Sequence, residues 1–414
     1  MVINLNERIG DESVIQQTRL TRKLNVGGST QTYPVFRIRL DCLRYNVQND
    51  RIATWVSEYR EEHDGSSPDE NDAETFNGII EDYISKSNPE SLNMTEASIA
   101  EDGQVEPGVV LSNGVVIDGN RRFTCLRRLA RGHDKYNWFE ASILPETLGN
   151  DRETVKCLEL QLQFKREERV GYDPIDRLVG VYRDLIDPET RIDTLTPEKY
   201  ARSAGIPIQK LQGYMARANL MVEFLDYIGA PKKFSLARNL KIDGPLGELE
   251  NLFKKCRDEE EITRVKGIAF ANILAEPRDI TRFMRDLKRI VASDESEAFL
   301  DTEDELAARV IDRLADMDEV NASVIRDEIR GDIDLKNEML KTVDDALDKA
   351  RRTGLLNSPV EMLTKAKESV EKIDTLIIEH LDASQRDSVL DAVEGIRSLL
   401  DGIELAARGE KDAE

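Results

Sequence analysis

Val35, Arg37 and Arg39 alternate with Phe36, Ile38 and Leu40, a period-two pattern that predicts a short strand. The 34 residues before it, ending "VGGSTQTYP", alternate poorly and read as an arm with a Gly-rich loop. A helix is predicted over 51–62. The polar, acidic run "EHDGSSPDENDA" after it reads as an exposed loop. Helical spacing resumes over 74–86 and 92–101. Three β-rich runs follow, "PGVVL", "NGVVI" and "WFEASIL", the first two joined by an Asn113-Gly114 turn. Between the second and third, Phe123, Leu126, Leu129 and Ala130 recur at helical spacing and predict a helix over 120–131. Mixed strands and helices over 35–150 imply a small α+β domain.

From residue 152 to about residue 300 the spacing is helical and no strand is predicted. Thr196 can cap free amides, Pro197 suits a first turn, Glu198 complements the dipole, and the helix stops at Gly205. A second helix is predicted from Ile208 to Met221. Ala201, Gly205 and Leu211 match the packing demands of a helix-turn-helix over 196–221, and a plain helical hairpin meets the same spacing. Gln209, Lys210, Gln212, Gly213, Tyr214 and Arg217 are expected to face outward, with Lys199 and Arg202 on the first helix, as DNA-binding candidates. The last 110 residues are the most periodic. Leu335, Met339, Val343 and Ala346 form one stripe on a helix expected to end at Gly354. A capping box at Ser358 is expected to start the next, whose stripe is Leu363, Ala366, Val370, Ile373 and Ile377, and Val389, Val393, Ile396, Leu400 and Ile403 mark a third. Buried stripes with acidic outer faces predict a helical bundle, or a coiled coil through which two copies associate. The domain reading is therefore an arm (1–34), an α+β domain (35–150), a helical domain (151–290) and an acidic helical domain (291–414).

Charge changes this picture. The 414 residues carry a formal −23, distributed as −8 over 1–150, +2 over 151–290 and −17 over 291–414. Within 196–241 the balance is +5, from Lys199, Arg202, Lys210, Arg217, Lys232, Lys233, Arg238 and Lys241. A basic island in an acidic chain suggests an anionic partner such as DNA, and the acidic tail a protein partner. Four scattered cysteines and three histidines offer no metal-site spacing. With no long apolar run and no signal-peptide pattern, the expectation is a cytoplasmic protein without membrane partners.

The densest chemistry lies in 101–145. A strand ends at Ile117, the chain turns through Asp118-Gly119-Asn120, and Arg121 and Arg122 open a helix. Free amides, a glycine and two guanidinium groups at one turn are what phosphate binding requires. On residue types alone, Asp118 capping the helix and Arg121 paired with a carboxylate is the simpler reading.

The ordered series "SIAEDGQVEPGVVLSNGVVIDGNRRFTCLRRL" resembles the N-terminal domain of the ParB/sulfiredoxin-like superfamily, in which a helix, "G-x-x-x-P", two strands and a "G-x-R-R" helix start form a phosphate-binding core. "IRLDCLRYNVQNDRI" is similar to that domain's opening strand and its Asn- and Arg-bearing box. "CLELQLQFKREERVGYDPIDRLVGVYRDLI" is similar to the segment joining the core to the DNA-binding domain of ParB proteins, matched at Glu159, Gln161, Gln163, Pro174 and Asp176. The resemblance, over roughly residues 35–230, implies a ParB/sulfiredoxin-like α+β domain followed by an all-α helix-turn-helix domain and a C-terminal helical bundle. It implies a nucleoside triphosphate, CTP or ATP with Mg2+, held by Gly103, Gln104 and Pro107 and by Gly119, Asn120, Arg121 and Arg122. The sequence departs from the family at Asn120, where partition ParB proteins carry an acid, and at "ELQLQ", where they carry a Glu-Asn-x-x-Arg box. The functions implied are a ParB-like DNA-binding protein of partition, mobile-element or phage-defence systems, or an NTPase or nuclease of the same fold with Glu159 and Asp118 as its catalytic candidates. A non-catalytic scaffold using the acidic tail is a further reading.

Overall fold

The computed structural model of the chain describes residues 4–145, 151–167, 173–317 and 319–408. The last residues of the expected α+β domain (146–150) and part of the segment likened to the ParB connector (168–172) lie outside them. The chain divides into two units, Met1–Leu347 and Asp348–Glu414.

In the first unit six strands form one mixed sheet in the order β1-β2-β6-β4-β5-β3. They are β1 (Ile15–Val26), β2 (Ser29–Arg39), β3 (Arg44–Tyr45), β4 (Gly108–Val110), β5 (Val115–Asp118) and β6 (Trp138–Ile143). β1–β2, β2–β6 and β4–β5 pair antiparallel, β4–β6 and β3–β5 parallel. Successive residues of β4 and β5 bury on opposite faces, which is why "GVVL" and "GVVI" read as continuous apolar runs. Val110 and Val116 join Phe36, Ile38 and Phe123 on one face, packed under α2 (Ala73–Ser87), α3 (Pro89–Asp102) and α4 (Asn120–Ala130). Val109, Leu111 and Ile117 join Leu24, Val26 and Tyr33 on the other, against Leu158 of α5 (Arg152–Glu167).

The first 34 residues are not an arm. Residues 15–39 form a hairpin closed by Gly27 and Gly28, whose φ values of 59° and 82° suit a two-residue turn of the hairpin-favouring hand. A bulge interrupts the pairing, since Gln17 faces Phe36 but Thr21 faces Pro34, and the alternation reads weakly because none of residues 16–23 is buried.

α1 (Ala53–Glu62) joins the sheet region to the helices that follow: α6 (Pro174–Val181), continued by a π turn (Tyr182–Ile186), α7 (Pro197–Ala204), α8 (Ile208–Tyr227), α9 (Phe234–Asn239), α10 (Asp243–Phe253), α11 (Glu259–Ala275), α12 (Ile280–Val291) and α13 (Ser296–Ala315). Asp176 accepts from the Thr54 amide (2.9 Å), and Arg238 lies 3.8 Å above the Trp55 ring and pairs with Glu58 (2.9 Å). One apolar core runs through these helices and includes Leu335, Met339, Val343 and Ala346, so the expected boundary at 290/291 does not interrupt it. Of the −17 expected on a tail, −12 lies in 291–347, within this first unit.

α14 (Ile333–Glu371) does not stop at Gly354. It continues past Ser358, with Pro359 inside it, so the capping box starts no helix. A mid-helix Gly costs only about 1 kcal/mol and a Pro about 3 kcal/mol, which the helix formers on either side outweigh. α15 (Thr375–Glu379) and α16 (Ala383–Arg408) follow. The expected burial of their stripes is not found: Val370, Ile373, Ile377, Val393, Ile396, Leu400 and Ile403 are all exposed, and α16 buries no residue. Among the described residues no helix is long and apolar enough to cross a membrane.

Candidate functional site

Local rules build the turn at the start of α4. β5 ends at Asp118, Gly119 takes the left-handed conformation (φ 98°), and α4 begins at Asn120 with no side chain capping it. A Cβ on Gly119 would stand 2.9 Å from the Phe139 ring and 3.0 Å from Arg122 Nη2. The first-turn amides therefore have no side-chain acceptor of their own.

A cavity of about 690 Å³ opens beside this turn. Gly103, Asp118, Gly119, Asn120, Arg121 and Arg122 line it, together with Asn49 and Arg51 from the turn before α1, the polar face of α3 (Ser91, Thr95, Ser98), and Gln163 of α5. Ile84, Ile99, Ile117 and Leu162 give it an apolar part, and Met94 and Val105 line it while 69% and 72% exposed. Its size is that of a small-molecule site.

Arg121 is the distinctive group. Among the described residues its side chain has no ion pair or hydrogen bond, against the simpler expectation of a carboxylate partner. Burial, with Arg51 and then Arg122 nearby, pulls its guanidinium down to about 10. Arg122, by contrast, pairs with Glu106 (2.9 Å) and approaches Asp118 (3.6 Å). Asn120 Oδ1 is buried with no hydrogen-bond partner, on an amide that can turn either atom inward.

Not every expected residue reaches the cavity. Gln104 clamps the loop to β6 instead: its amide donates to Glu140 O (2.7 Å) and accepts from Glu140 N (2.8 Å). The Pro107 carbonyl accepts from Arg22 (2.6 Å). Asp118 is not the cap of α4, a position that Gly119 takes. Its carboxylate pairs with Arg22 (2.7 Å), which stitches the β1–β2 hairpin to the site.

Glu159 is buried beside the cavity and does not line it. Lys156 Nζ contacts Asp184 (2.8 Å), Asp50 (2.9 Å) and Glu159 (3.6 Å), and Arg183 pairs with Asp50 (2.6 Å) and Asp184 (2.9 Å). Burial pushes the Glu159 carboxyl up to about 7 against the pull of Lys156. Burial would discharge Lys156, but Asp184, Asp50 and Glu159 hold its pKa above the ordinary value. Gln163 donates to Glu159 (2.9 Å) and also lines the cavity, so the two sites touch there. Neither Glu159 nor Asp118 stands as an unpaired base over open space. Among the described residues no group of three or more His, Cys, Asp or Glu is placed to hold a metal.

The α7–α8 pair has the expected caps: Thr196 Oγ1 accepts from the Lys199 amide (3.3 Å), and Gly205 ends α7 in the left-handed conformation. Ala201 and Leu211 are buried between the helices. Arg202, Gln209, Lys210 and Gln212 are exposed. Tyr214 is not: it is 6% exposed, its hydroxyl accepts from Arg177 (2.9 Å), and Arg217 beside it pairs with Asp243 (2.8 Å). An outward Tyr214 fails because that position continues the buried Leu211 stripe. The basic island is also largely neutralised. Lys199 pairs with Glu153, Lys232 with Glu189, Lys233 with Glu319 and Arg238 with Glu58, which leaves Arg202, Lys210 and Lys241 without a carboxylate among the described residues.

No protein-family model matches the chain, and no curated protein or solved structure matches it significantly. Arg51 and Gln163 could be found in sequence only through the box and connector likened to ParB proteins. Arg22 sat in the presumed arm and carried no signal.

Proposed function

We propose that the cavity at the start of α4 binds a nucleotide or polyphosphate, in a ParB-like protein whose α7–α8 pair contacts DNA. The observation that carries this is Arg121: a half-buried guanidinium without a partner among the described residues, with Arg51 and Arg122 beside it at an uncapped helix start. Desolvating a guanidinium without an acid is unfavourable, so the arrangement is best satisfied by a bound anion. The apolar part of the cavity and Met94 and Val105 give a base or sugar somewhere to lie.

The residues fit a triphosphate better than a resident metal. The acids near the turn, Asp118 and Glu106, are held by arginines, so Mg2+ would arrive on the phosphates. Catalysis finds no support in the placement of Glu159 and Asp118. Arg202, Lys210, Gln209 and Gln212 are the residues left to meet DNA. The exposed stripes of α16 support self-association, a second copy supplying the facing stripe.

A thermal-shift screen of the full chain against ATP, CTP, GTP and UTP, each with Mg2+, tests the reading. A ligand of the folded state raises the melting temperature, and Arg121→Ala should remove the rise. No rise with any nucleotide, or the same rise in the variant, contradicts it.

A further inference from the structure

Residues 15–39 contain Arg19, Arg22, Lys23, Arg37 and Arg39 and not one Asp or Glu, where an average stretch of that length in this chain holds about five acids. They are the β1–β2 hairpin. Arg22 and Arg39 are held by Asp118 and Asp41, and Arg37 lies 5.6 Å from the centre of the Trp138 ring. Arg19 and Lys23 are exposed and have no carboxylate partner among the described residues.

The hairpin has two faces. Leu24, Val26 and Tyr33 are buried and fix it to Val109, Leu111 and Leu144. On the other, Thr21, Lys23 and Asn25 lie opposite Pro34, Thr32 and Thr30, and all six are exposed. Arg19 and Leu20 stand in the bulge, which is held where Thr18 Oγ1 donates to Val35 O (2.6 Å) and accepts from the Leu20 amide (3.1 Å). The result is an anchored two-stranded ribbon with a cationic, amide- and hydroxyl-bearing outer face.

We propose that this ribbon is a docking surface for duplex DNA, separate from the α7–α8 pair. A two-stranded ribbon fits the major groove, cations answer the phosphates, and Asn, Gln and Thr side chains can exchange hydrogen bonds with base edges. Cations also keep an edge strand from pairing with another chain, but that role does not require the whole hairpin, its inner strand included, to lack acids. Single strands are disfavoured because the ribbon exposes no aromatic ring for bases to stack on: Tyr33 and Phe36 are buried. A-form RNA hides its major groove. A protein partner would need an apolar anchor larger than Leu20 alone.

The test is fluorescence anisotropy of the full chain on duplex DNA across a salt series. Arg19→Ala with Lys23→Ala should lower the salt slope by about 2 and Arg19→Glu with Lys23→Glu should weaken binding at least about tenfold, with the melting temperature unchanged. Thr30→Lys with Thr32→Lys, which does not depend on a loss, should tighten it. Binding that none of these variants alters, while Arg202→Glu with Lys210→Glu abolishes it, overturns the ribbon and leaves the helix pair standing. Ribbon variants that lose only single-stranded RNA overturn the choice of duplex DNA. A wild-type chain that binds no duplex DNA overturns both.

Discussion

Glu303 shows what one buried carboxyl does to this molecule. It is fully buried on α13, accepts from Asn272 Nδ2 of α11 (3.1 Å), and burial pushes it up to about 7. A carboxyl whose folded pKa lies above its unfolded value of 4.5 stabilises the fold fully below the unfolded pKa, and loses that contribution as pH rises through the folded one. Glu159 and Asp176, both pushed to about 7 by burial, act in the same direction, whereas Asp184, held below its ordinary range by Arg183 and Lys156 against burial, acts in the opposite one near pH 4. Glu303→Gln should therefore leave stability nearly unchanged at pH 5 and raise it at pH 8 by on the order of 3 kcal/mol. Calorimetric unfolding at the two pH values checks this, and an equal effect at both would contradict it.

At the scale of elements, the β5–α4 turn depends on Gly119. Alanine there would hold a strained left-handed backbone and press its Cβ on the Phe139 ring, which costs on the order of 2–4 kcal/mol. Gly119→Ala should lower the denaturation midpoint and weaken phosphate binding together. Urea unfolding with a parallel binding assay measures both, and a variant with wild-type stability would show that the turn tolerates a side chain. This turn was legible in sequence because every signal was local: a β run, a glycine, then a helical repeat. So were α1 to α4, α7 and the three central strands. The hairpin was not, since none of residues 16–23 is buried and Leu24 and Val26 bury on the opposite face from Ile15. Nor was the continuity of α14, because Gly354 and Pro359 are strong breakers taken alone and weak ones inside a long helix.

At the scale of the molecule, what sequence could not supply was pairing at a distance. A window of +5 over 196–241 lost most of its meaning once Glu153, Glu189, Glu319 and Glu58 arrived from elsewhere, and Arg121, without a partner among the described residues, stood out only in three dimensions. The hairpin, by contrast, holds no acid of its own, and two of its five cations, Arg19 and Lys23, are exposed without a carboxylate among the described residues. A net −23 makes every anion-binding step work against global repulsion, so affinity for phosphate should be set by groups at the site and should fall with salt. The most direct measurement is calorimetric titration of the full chain with inorganic tripolyphosphate and with each nucleoside triphosphate, at low and moderate salt, beside Arg121→Ala. One binding event per chain is expected, weaker at higher salt and weakened at least about tenfold in the variant. Equal affinity in the variant, or no heat with any of these ligands, would contradict the proposed phosphate site.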